Sequence, residues 1–339
     1  MESLLWAKIN GAKYEELSAK TDLTSDEVLS LVDYTTYFDL TRIKIPSSSD
    51  GILHYLQEEK LVVRQDNSLY TITNIGALLF AKKMVDFPAL DRKSIRVIQY
   101  EDDSRLHIRK QYVEQKGYAT GFEGVVTYIN GLLPANEEIE SPIRKEKTIY
   151  PIVAIRELIA NALIHQDLTI TGTGPVIEIF KSRIEITNPG TPLVNINRII
   201  NNPPRSRNEM MAKLMRRLGI CEELGTGWDR VAAYCEQFLL PAPKIDIYEE
   251  NTRVTISASR TYKKMTQEER LWTCYLHVCL KYENQEKATN STLRERLGLA
   301  STASASVSRL IALTIEKDLI KPLDENTAPR YMSYIPSWA

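Results

Sequence analysis

The strongest constraint on the fold comes from one apolar, helix-like stretch, Ile155-Arg-Glu-Leu-Ile-Ala-Asn-Ala-Leu-Ile-His-Gln-Asp167. If this stretch is a helix, Glu157, Asn161 and His165 stand at positions i, i+4 and i+8, so three polar side chains share one face. The remaining faces are apolar enough to be buried. The pattern therefore predicts a packed helix whose polar face either meets solvent or belongs to a binding site, and further sequence features have to decide between the two.

Composition predicts a globular protein. The chain has 339 residues, of which 43% are hydrophobic and 26% charged, and this length allows two or three hydrophobic cores. The longest apolar runs, such as residues 76–80, are too short to cross a bilayer, and the first residues lack the basic start of a signal peptide. We therefore expect a cytoplasmic protein without a membrane segment.

Charge and cysteine content exclude two other classes of protein. The net charge is −1, so any nucleic-acid binding has to come from a local basic surface. The four cysteines show no CxxC pair and no histidine at metal-ligand spacing. We expect reduced thiols, and neither a disulfide framework nor a zinc site.

The pattern along the chain predicts an α+β protein in three regions. Residues 1–88 combine helix-like segments with a hairpin signal at 61–73, which is the order of elements in a winged helix. Residues 89–260 mix long helices with three strand-like runs, and this mixture favours an α/β sandwich. The strand-like runs are 95–100, 176–180 and 183–187.

The third region, residues 261–339, also has the element order of a winged helix. Thr266 with Glu269 three residues later predicts a capping box at the start of a helix. Two further helices are expected at about 291–297 and 303–318, followed by two wing strands at 320–323 and 330–335.

Two glycine sites follow the helix that carries Glu157. The strand-like runs end at Asn188-Pro-Gly190, where glycine permits a close backbone approach. The second site, Leu224-Gly-Thr-Gly-Trp228, precedes a helix-like stretch, and free N–H groups at a helix start bind phosphate oxygens. Arg205 and Arg207 lie between the two sites and are suited to phosphate. Each glycine site could be an ordinary turn, and the two arginines could simply be solvated. The order of all these features along the chain is therefore better evidence for a phosphate site than any single feature.

These residues together resemble the N, G1 and G2 boxes of the GHKL superfamily of ATPases. More closely, the sequence is similar to a divergent ATP-binding family of bacterial proteins classed as transcriptional regulators and often labelled helicase-related. Four ordered motifs carry the resemblance: Arg156-Glu-x-x-x-Asn-Ala-x-x-His-x-Asp167, Asn188-Pro-Gly190, Ser206-Arg-Asn208 and Gly225-x-Gly227. The chain contains no Gly-x-x-x-x-Gly-Lys-[Ser/Thr] loop, which argues against the helicase label.

The resemblance implies a GHKL-like sandwich with a Bergerat-type ATP pocket, flanked by winged-helix modules. Within it, Asn161 would give an oxygen to Mg²⁺ and Glu157 would orient or deprotonate the attacking water. His165 would contact phosphate or substrate, although a histidine on a helix face is more often structural. The remaining residues implied to bind ATP are Asn188, Gly190, Arg205, Arg207, Asn208, Gly225, Thr226 and Gly227.

The chain departs from the resemblance in two respects. Many GHKL proteins contact adenine through an aspartate, where this chain has Asn188, whose uncharged amide can still form a hydrogen bond. Related chains usually carry an upstream AlbA-like, Schlafen-type domain that we expect to be absent here. A partner protein would then supply that domain, and a homodimer is a further expectation.

For DNA, the third C-terminal helix is the candidate reader. Ser304, Ser306, Ser308 and Arg309 lie near its start, where winged helices contact the major groove, and Arg294 and Arg296 could meet phosphates. A winged helix that only dimerises is the alternative.

The sequence thus predicts an ATP-responsive, DNA-binding regulator of transcription. An ATPase subunit of a DNA-processing or phage-defence complex is the alternative function, and a degenerate pocket that serves only in assembly is a third. Hydrolysis of ATP to ADP and phosphate is therefore left open.

Overall fold

The computed structural model describes residues 13–133, 135–138, 145–203, 205–221 and 227–339. In its N-terminal part, a strand is followed by three helices, a two-stranded hairpin and a fourth helix. The three strands form one antiparallel sheet in the order β1-β3-β2. These elements are β1 (Ser18–Leu23), α1 (Ser25–Leu31), α2 (Tyr34–Thr41), α3 (Ser49–Glu58), β2 (Val62–Arg64), β3 (Tyr70–Thr73) and α4 (Asn74–Phe80).

The middle part contains a six-stranded mixed sheet in the order β10-β11-β9-β8-β4-β5, in which only β4 and β8 are parallel. A separate hairpin joins β6 to β7. The elements are β4 (Arg96–Tyr100), β5 (Ile108–Val113), α5 (Tyr118–Leu132), β6 (Ala135–Glu138), β7 (Lys145–Thr148), α6 (Ile152–His165), β8 (Val176–Ile179), β9 (Arg183–Pro189), α7 (Glu209–Arg217), α8 (Gly227–Gln237), β10 (Lys244–Tyr248) and β11 (Asn251–Ser257).

Alternation of side chains along the central strands gives the sheet one apolar and one charged face. Ile177 of β8 pairs with Ile186 of β9, and both are buried in the core that α6 shares with the sheet. The intervening residues Glu178 and Glu185 pair with each other in register, and Arg105 forms ion pairs with both. Because successive strand residues point to opposite faces, the apolar face turns to the helices and the carboxylates lie on the other side.

The C-terminal part consists of three helices followed by an antiparallel hairpin, and an isolated bridge from Ala288 to Tyr334 ties the hairpin to the start of the second helix. The capping box expected at Thr266 is present, with Glu269 as its partner. The elements are α9 (Gln267–Glu283), α10 (Asn290–Arg296), α11 (Ser304–Glu316), β12 (Ile320–Pro322) and β13 (Tyr334–Pro336). We call residues 266–339 the C-terminal module.

Buried apolar side chains form two clusters. The first runs continuously from Leu23 to Ile256, and the second belongs mainly to the C-terminal module, with Ile200 and Ala232 contributed by the middle part. The division expected after residue 88 stays a prediction, because side chains before and after it share the first cluster.

The mixed sheet and its helices agree with the predicted α+β class. Among the described residues, no single helix is long and apolar enough to cross a membrane. One bent pair, Asn290–Arg296 with Ser301–Glu316, passes that test by length and composition. The apolar side chains of its second helix, such as Val307 and Leu310, are buried in the second cluster, which explains why the pair is apolar.

Candidate functional site

A cavity of about 550 Å³ opens between α6, the ends of the sheet strands and the segment that leads to α7. Its volume lies in the range of small-molecule sites. Residues far apart in the sequence meet at its wall, from α6, β9, the β10–β11 hairpin, residues 191–207, α7 and the start of α8.

Helix α6 spans Ile152–His165, close to the helix expected at 155–167, and its polar face lines the cavity. Glu157, Asn161 and His165 all contribute to the wall. Eight residues on the other faces of α6 are buried in the core. The helix therefore presents its polar face to the cavity. Of the two interpretations of the sequence, a face toward solvent or a face in a binding site, this arrangement fits the second.

His165 lies at the last turn of α6 and is held in its neutral form. Burial, together with the positive charge of Arg207, lowers the pKa of His165 to about 4. Arg207 donates a hydrogen bond to the carbonyl oxygen of His165 over 3.3 Å and lies 3.8 Å from the Asp167 carboxylate. At neutral pH, His165 thus offers a hydrogen bond to the cavity, and the positive charge comes from the arginines.

Gly227, the first residue of α8, also lines the cavity and contacts Glu157. A Cβ atom added at Gly227 would lie 2.2 Å from Glu157 Oε1, so a side chain at this position would displace the carboxylate. The 11-residue helix α8 directs its N-terminus toward the cavity, since Gly227 and Trp228 both contribute to the wall. The predicted site residues Gly225 and Thr226 lie outside the described residues.

Asn188 lies near the end of β9 and Gly190 directly follows the strand, and of these two residues only Asn188 lines the cavity. Asn188 is 6% exposed, and its amide nitrogen donates a hydrogen bond to the Pro189 carbonyl oxygen over 3.0 Å. Gly190 has a φ of +101°, and a Cβ atom there would lie 2.9 Å from the Asp167 nitrogen. The close approach that requires glycine is thus made to protein atoms, and the role of Gly190 in ATP binding stays a prediction.

The motif Ser206-Arg207-Asn208 holds the C-terminal end of α6. Asn208 donates from its amide to the carbonyl oxygens of Ile164 and Gln166, over 2.9 and 2.8 Å. Asn208 is 4% exposed and is absent from the cavity wall, so its contact with ATP stays a prediction. Its position satisfies carbonyl groups that the helix end would leave without partners. Arg205 and Arg207 do line the cavity, and Arg205 is exposed.

The cavity wall includes residues that the sequence analysis did not single out. Ile186, Ile245 and Val254 give the sheet side an apolar surface, and Thr252 lies beside Asn188 in the β9–β11 pairing. The Thr252 hydroxyl donates to the Gly190 carbonyl oxygen over 2.6 Å. Period-two alternation in residues 244–248 and 251–257 would have predicted these two strands. Arg216, Glu209 and Trp228 also line the cavity, and no local pattern identified a role for them there.

The residues predicted to contact DNA differ in how far their side chains are exposed to solvent. Ser304, Ser308 and Arg309 are exposed, whereas Ser306 and Arg294 are partly buried. Arg294 donates to the Asn290 side chain over 3.1 Å.

Arg296 is 6% exposed, and its guanidinium donates to the Leu240 carbonyl oxygen and pairs with Glu236. The expectation that Arg296 meets phosphates is therefore wrong, because its charge is used inside the protein.

The described residues contain no group of three histidine, cysteine or acidic side chains that could hold a metal ion. Mg²⁺ does not need such a group, because it commonly takes one or two protein oxygens together with phosphates and waters. The amide oxygen of Asn161 and the carboxylate of Glu157, one helical turn apart at the cavity wall, fit that requirement. Burial raises the pKa of Cys235, Cys274 and Cys279 to about 12, so these three thiols stay protonated at neutral pH.

Comparison with known families places an ATPase-type domain in this part of the chain. Residues 172–256 match the family described as "Putative ATP-dependent DNA helicase recG C-terminal". The matched region contains β8, β9, α7 and the β10–β11 hairpin, but it begins after α6. Glu157, Asn161 and His165 lie outside the matched region and line the same cavity as residues inside it, such as Asn188 and Val254.

One solved structure supports the fold. The chain is similar to the DIP2311 protein from Corynebacterium diphtheriae, with a TM-score of 0.55 and 17% sequence identity. The similarity covers 95% of this chain and 64% of that protein, so this chain spans less than two thirds of the relative's length. At this identity the likeness concerns the fold alone. Among curated proteins, no match is found.

Proposed function

We propose that this chain is a regulator that binds ATP with Mg²⁺ in the cavity and binds DNA through its C-terminal module. One observation carries the proposal: Glu157 and Asn161 from the first motif, Asn188 from the second and Gly227 from the last all line the same cavity of about 550 Å³. The family match at 172–256 supports an ATPase-type site at the same place. The fold is then a GHKL-like sandwich.

The two ends of the cavity differ in a way that suits a nucleotide. On the sheet side, Ile186, Ile245 and Val254 offer an apolar surface for a base, with Asn188 and Thr252 as hydrogen-bonding groups. The amide of Asn188 provides an acceptor without charge, so base recognition depends on hydrogen-bond geometry. On the helix side, the arginines 205, 207 and 216 supply positive charge for phosphates, together with the N-terminus of α8.

Mg²⁺, when bound, would screen the charge of the phosphates. Asn161 would hold the ion through its amide oxygen. The neutral imidazole of His165 would contact a phosphate oxygen or a bound water as a hydrogen-bonding group. Arg205 is exposed at the wall and forms no ion pair with the residues that the structure describes, so it would contact phosphate without breaking one of these.

An ATPase subunit of a DNA-processing or phage-defence complex is the second candidate, favoured by the position of Glu157. Its carboxylate lies at the cavity wall beside the first residue of α8, where a phosphate group would sit. A carboxylate in this place would accept a proton from water as the water oxygen attacks the terminal phosphorus and ADP leaves.

The DNA-binding part of the proposal rests on the C-terminal module, which we infer to be a winged helix. Three helices, a hairpin and the bridge from Ala288 to Tyr334 have the required order. The exposed side chains of Ser304, Ser308 and Arg309 at the start of α11 would contact the major groove. With few cations available, we expect modest affinity that falls steeply with salt. The N-terminal elements β1 to β3 have a similar order and would form a second module of the same kind.

Calorimetric titration of Mg-ATP tests the nucleotide site. Wild-type protein should bind, and Asn161→Ala should bind at least about tenfold more weakly, because it loses an oxygen ligand of the ion. Asn67→Ala, in the exposed turn between β2 and β3, is the matched control and should bind like the wild type. Absence of heat with wild-type protein at high concentration would refute the nucleotide site. If Asn161→Ala changes nothing while the wild type binds, the cavity serves another role, such as assembly.

Two further measurements separate the candidates. Tight binding of ATP without turnover favours the regulator, whereas turnover that rises with DNA and disappears in Glu157→Ala favours the ATPase subunit.

For DNA, Arg309→Ala should weaken binding and reduce the slope of log affinity against log salt concentration by about one. An unchanged slope would remove Arg309 from the DNA interface.

A further inference from the structure

The loop that forms one wall of the cavity is also attached to the C-terminal module. This cavity loop, residues 191–203, begins after Gly190 and ends before the Ser206–Asn208 motif. Both ends are fixed to the domain that carries the cavity: Gly190 is bound by Glu250 and Thr252, and Asn208 by the end of α6. Between Gly190 and Asn208, the position of the loop therefore depends on its contacts with other parts of the protein.

Neighbouring residues of the cavity loop contact both the cavity and the C-terminal module. Ile199 lines the cavity and also packs against the second apolar cluster, and Ile200, which is 8% exposed, belongs to that cluster together with α9 and α11. Thr191, Leu193 and Asn202 also line the cavity. The same short segment is therefore cavity wall on one side and part of the core of the C-terminal module on the other.

Polar contacts strengthen this attachment. The hydroxyl of Tyr275 in α9 donates to the Asn197 carbonyl oxygen, and the indole N–H of Trp338 donates to the Tyr275 hydroxyl over 2.9 Å. The guanidinium of Arg198 lies 4.8 Å from the centre of the Trp338 ring.

A further hydrogen bond, from Asn201 to Glu283 at the end of α9, spans 2.7 Å. The attachment thus uses the first helix and the last residues of the C-terminal module.

We propose that the C-terminal module holds the cavity loop in its cavity-lining position, and thereby controls how fast a nucleotide enters and leaves. This inference rests on the proposed nucleotide site and names the residues that regulate it: Arg198, Tyr275 and Trp338. Because linkage is reciprocal, a nucleotide that contacts the loop also stabilises the attachment of the C-terminal module, by the same factor. DNA binding to that module would then act on the nucleotide through this contact.

Two variants test the proposal, Arg198→Ala and Trp338→Ala. Arg198 is exposed and does not line the cavity, so its removal leaves the cavity wall and both cores in place. The matched controls are Arg330→Ala and Tyr331→Ala, which break a similar arginine–aromatic pair, 5.8 Å apart, in the same module. We expect a fluorescent ATP analogue to dissociate about two- to fivefold faster from Arg198→Ala, and about tenfold faster from Trp338→Ala. The controls should dissociate like the wild type.

Hydrogen exchange of the nucleotide-free protein tests the attachment of the loop without ATP. It therefore distinguishes a failure of this inference from a failure of the proposed nucleotide site. Amide groups of the cavity loop should exchange faster in Arg198→Ala and Trp338→Ala than in the wild type and the controls. If loop exchange in both variants equals that of the controls, the attachment does not hold the loop and the inference is overturned, whatever ATP does. If the loop exchanges faster but wild-type protein binds no ATP, the nucleotide site fails, and the regulatory role fails with it.

Discussion

At the level of single residues, Gly227 shows how closely the first turn of α8 packs against the acidic side chain of α6. A Cβ atom there would lie 2.2 Å from Glu157 Oε1, whereas one at Gly131 in α5 would meet no described atom within 4 Å beyond its chain neighbours and the backbone of its own helix. Gly131→Ala should therefore stabilise the protein by about 0.5–1 kcal/mol through helix propensity. Gly227→Ala should destabilise it by about 1–3 kcal/mol, because the carboxylate has to move. Urea unfolding of both variants checks the difference, and equal effects would contradict the packing at Gly227.

His165 gives stability a dependence on pH. The folded protein takes up a proton on His165 only near its lowered pKa of about 4, while the unfolded chain takes it up near 6.5. Between these values unfolding binds a proton, so the free energy of unfolding falls as the pH falls, by up to about 3 kcal/mol in total. Urea unfolding at pH 7 and pH 4.5 should show this loss in the wild type and a smaller loss in His165→Gln. His54→Gln, at an exposed position, is the control and should behave as the wild type.

At the level of elements, the end of α6 depends on the Ser206–Asn208 motif. Asn208→Ala removes two hydrogen bonds and leaves the carbonyl oxygens of Ile164 and Gln166 without these donors in a buried place. We expect a loss of about 1–3 kcal/mol in the free energy of unfolding. The exposed Asn67→Ala should lose much less. An equal loss in both would mean that Asn208 does not support the helix.

The elements also show why some of the fold was predictable. The long helix α6, the strands β4, β8 and β9 and the capping box at Thr266 follow from local periodicity and capping chemistry, and the structure has them within a few residues of the expected bounds. Residues 244–257 carry an equally regular alternation, which predicts the strands β10 and β11 that were missing from the expected elements. Asn208, in contrast, has no local signal: its partners lie more than 40 residues away.

At the level of the whole molecule, a buried polar network joins α8, which starts at the cavity, to the C-terminal module. Glu236 of α8 accepts a hydrogen bond from His277 of α9 and pairs with Arg296 of α10. His277 is 2% exposed and its other ring nitrogen contacts Thr292. These contacts hold α8 against α9 and α10 of the C-terminal module.

Arg296→Met should therefore cost about 3–5 kcal/mol of stability, since it leaves the Glu236 charge with one partner fewer in the interior. Arg294→Met, on the same helix but partly exposed, should cost less than about 1 kcal/mol. Thermal unfolding of both variants makes the comparison. A similar small effect of both would show that Arg296 is available at the surface, as the sequence analysis supposed.

The sequence by itself determined the local features: which stretches form helices and strands, that Glu157, Asn161 and His165 share a helix face, and which glycines start or end an element. These follow from repeat distances of a few residues, which neighbouring side chains and backbone geometry set. Only the tertiary structure decided which of the motif residues reach the cavity. Asn188 reaches it while Asn208 caps a helix, Arg205 lines it while Arg296 is buried, and residues 191–203 are held by the C-terminal module. Such choices depend on contacts between segments 40 to 80 residues apart, and no local pattern records them.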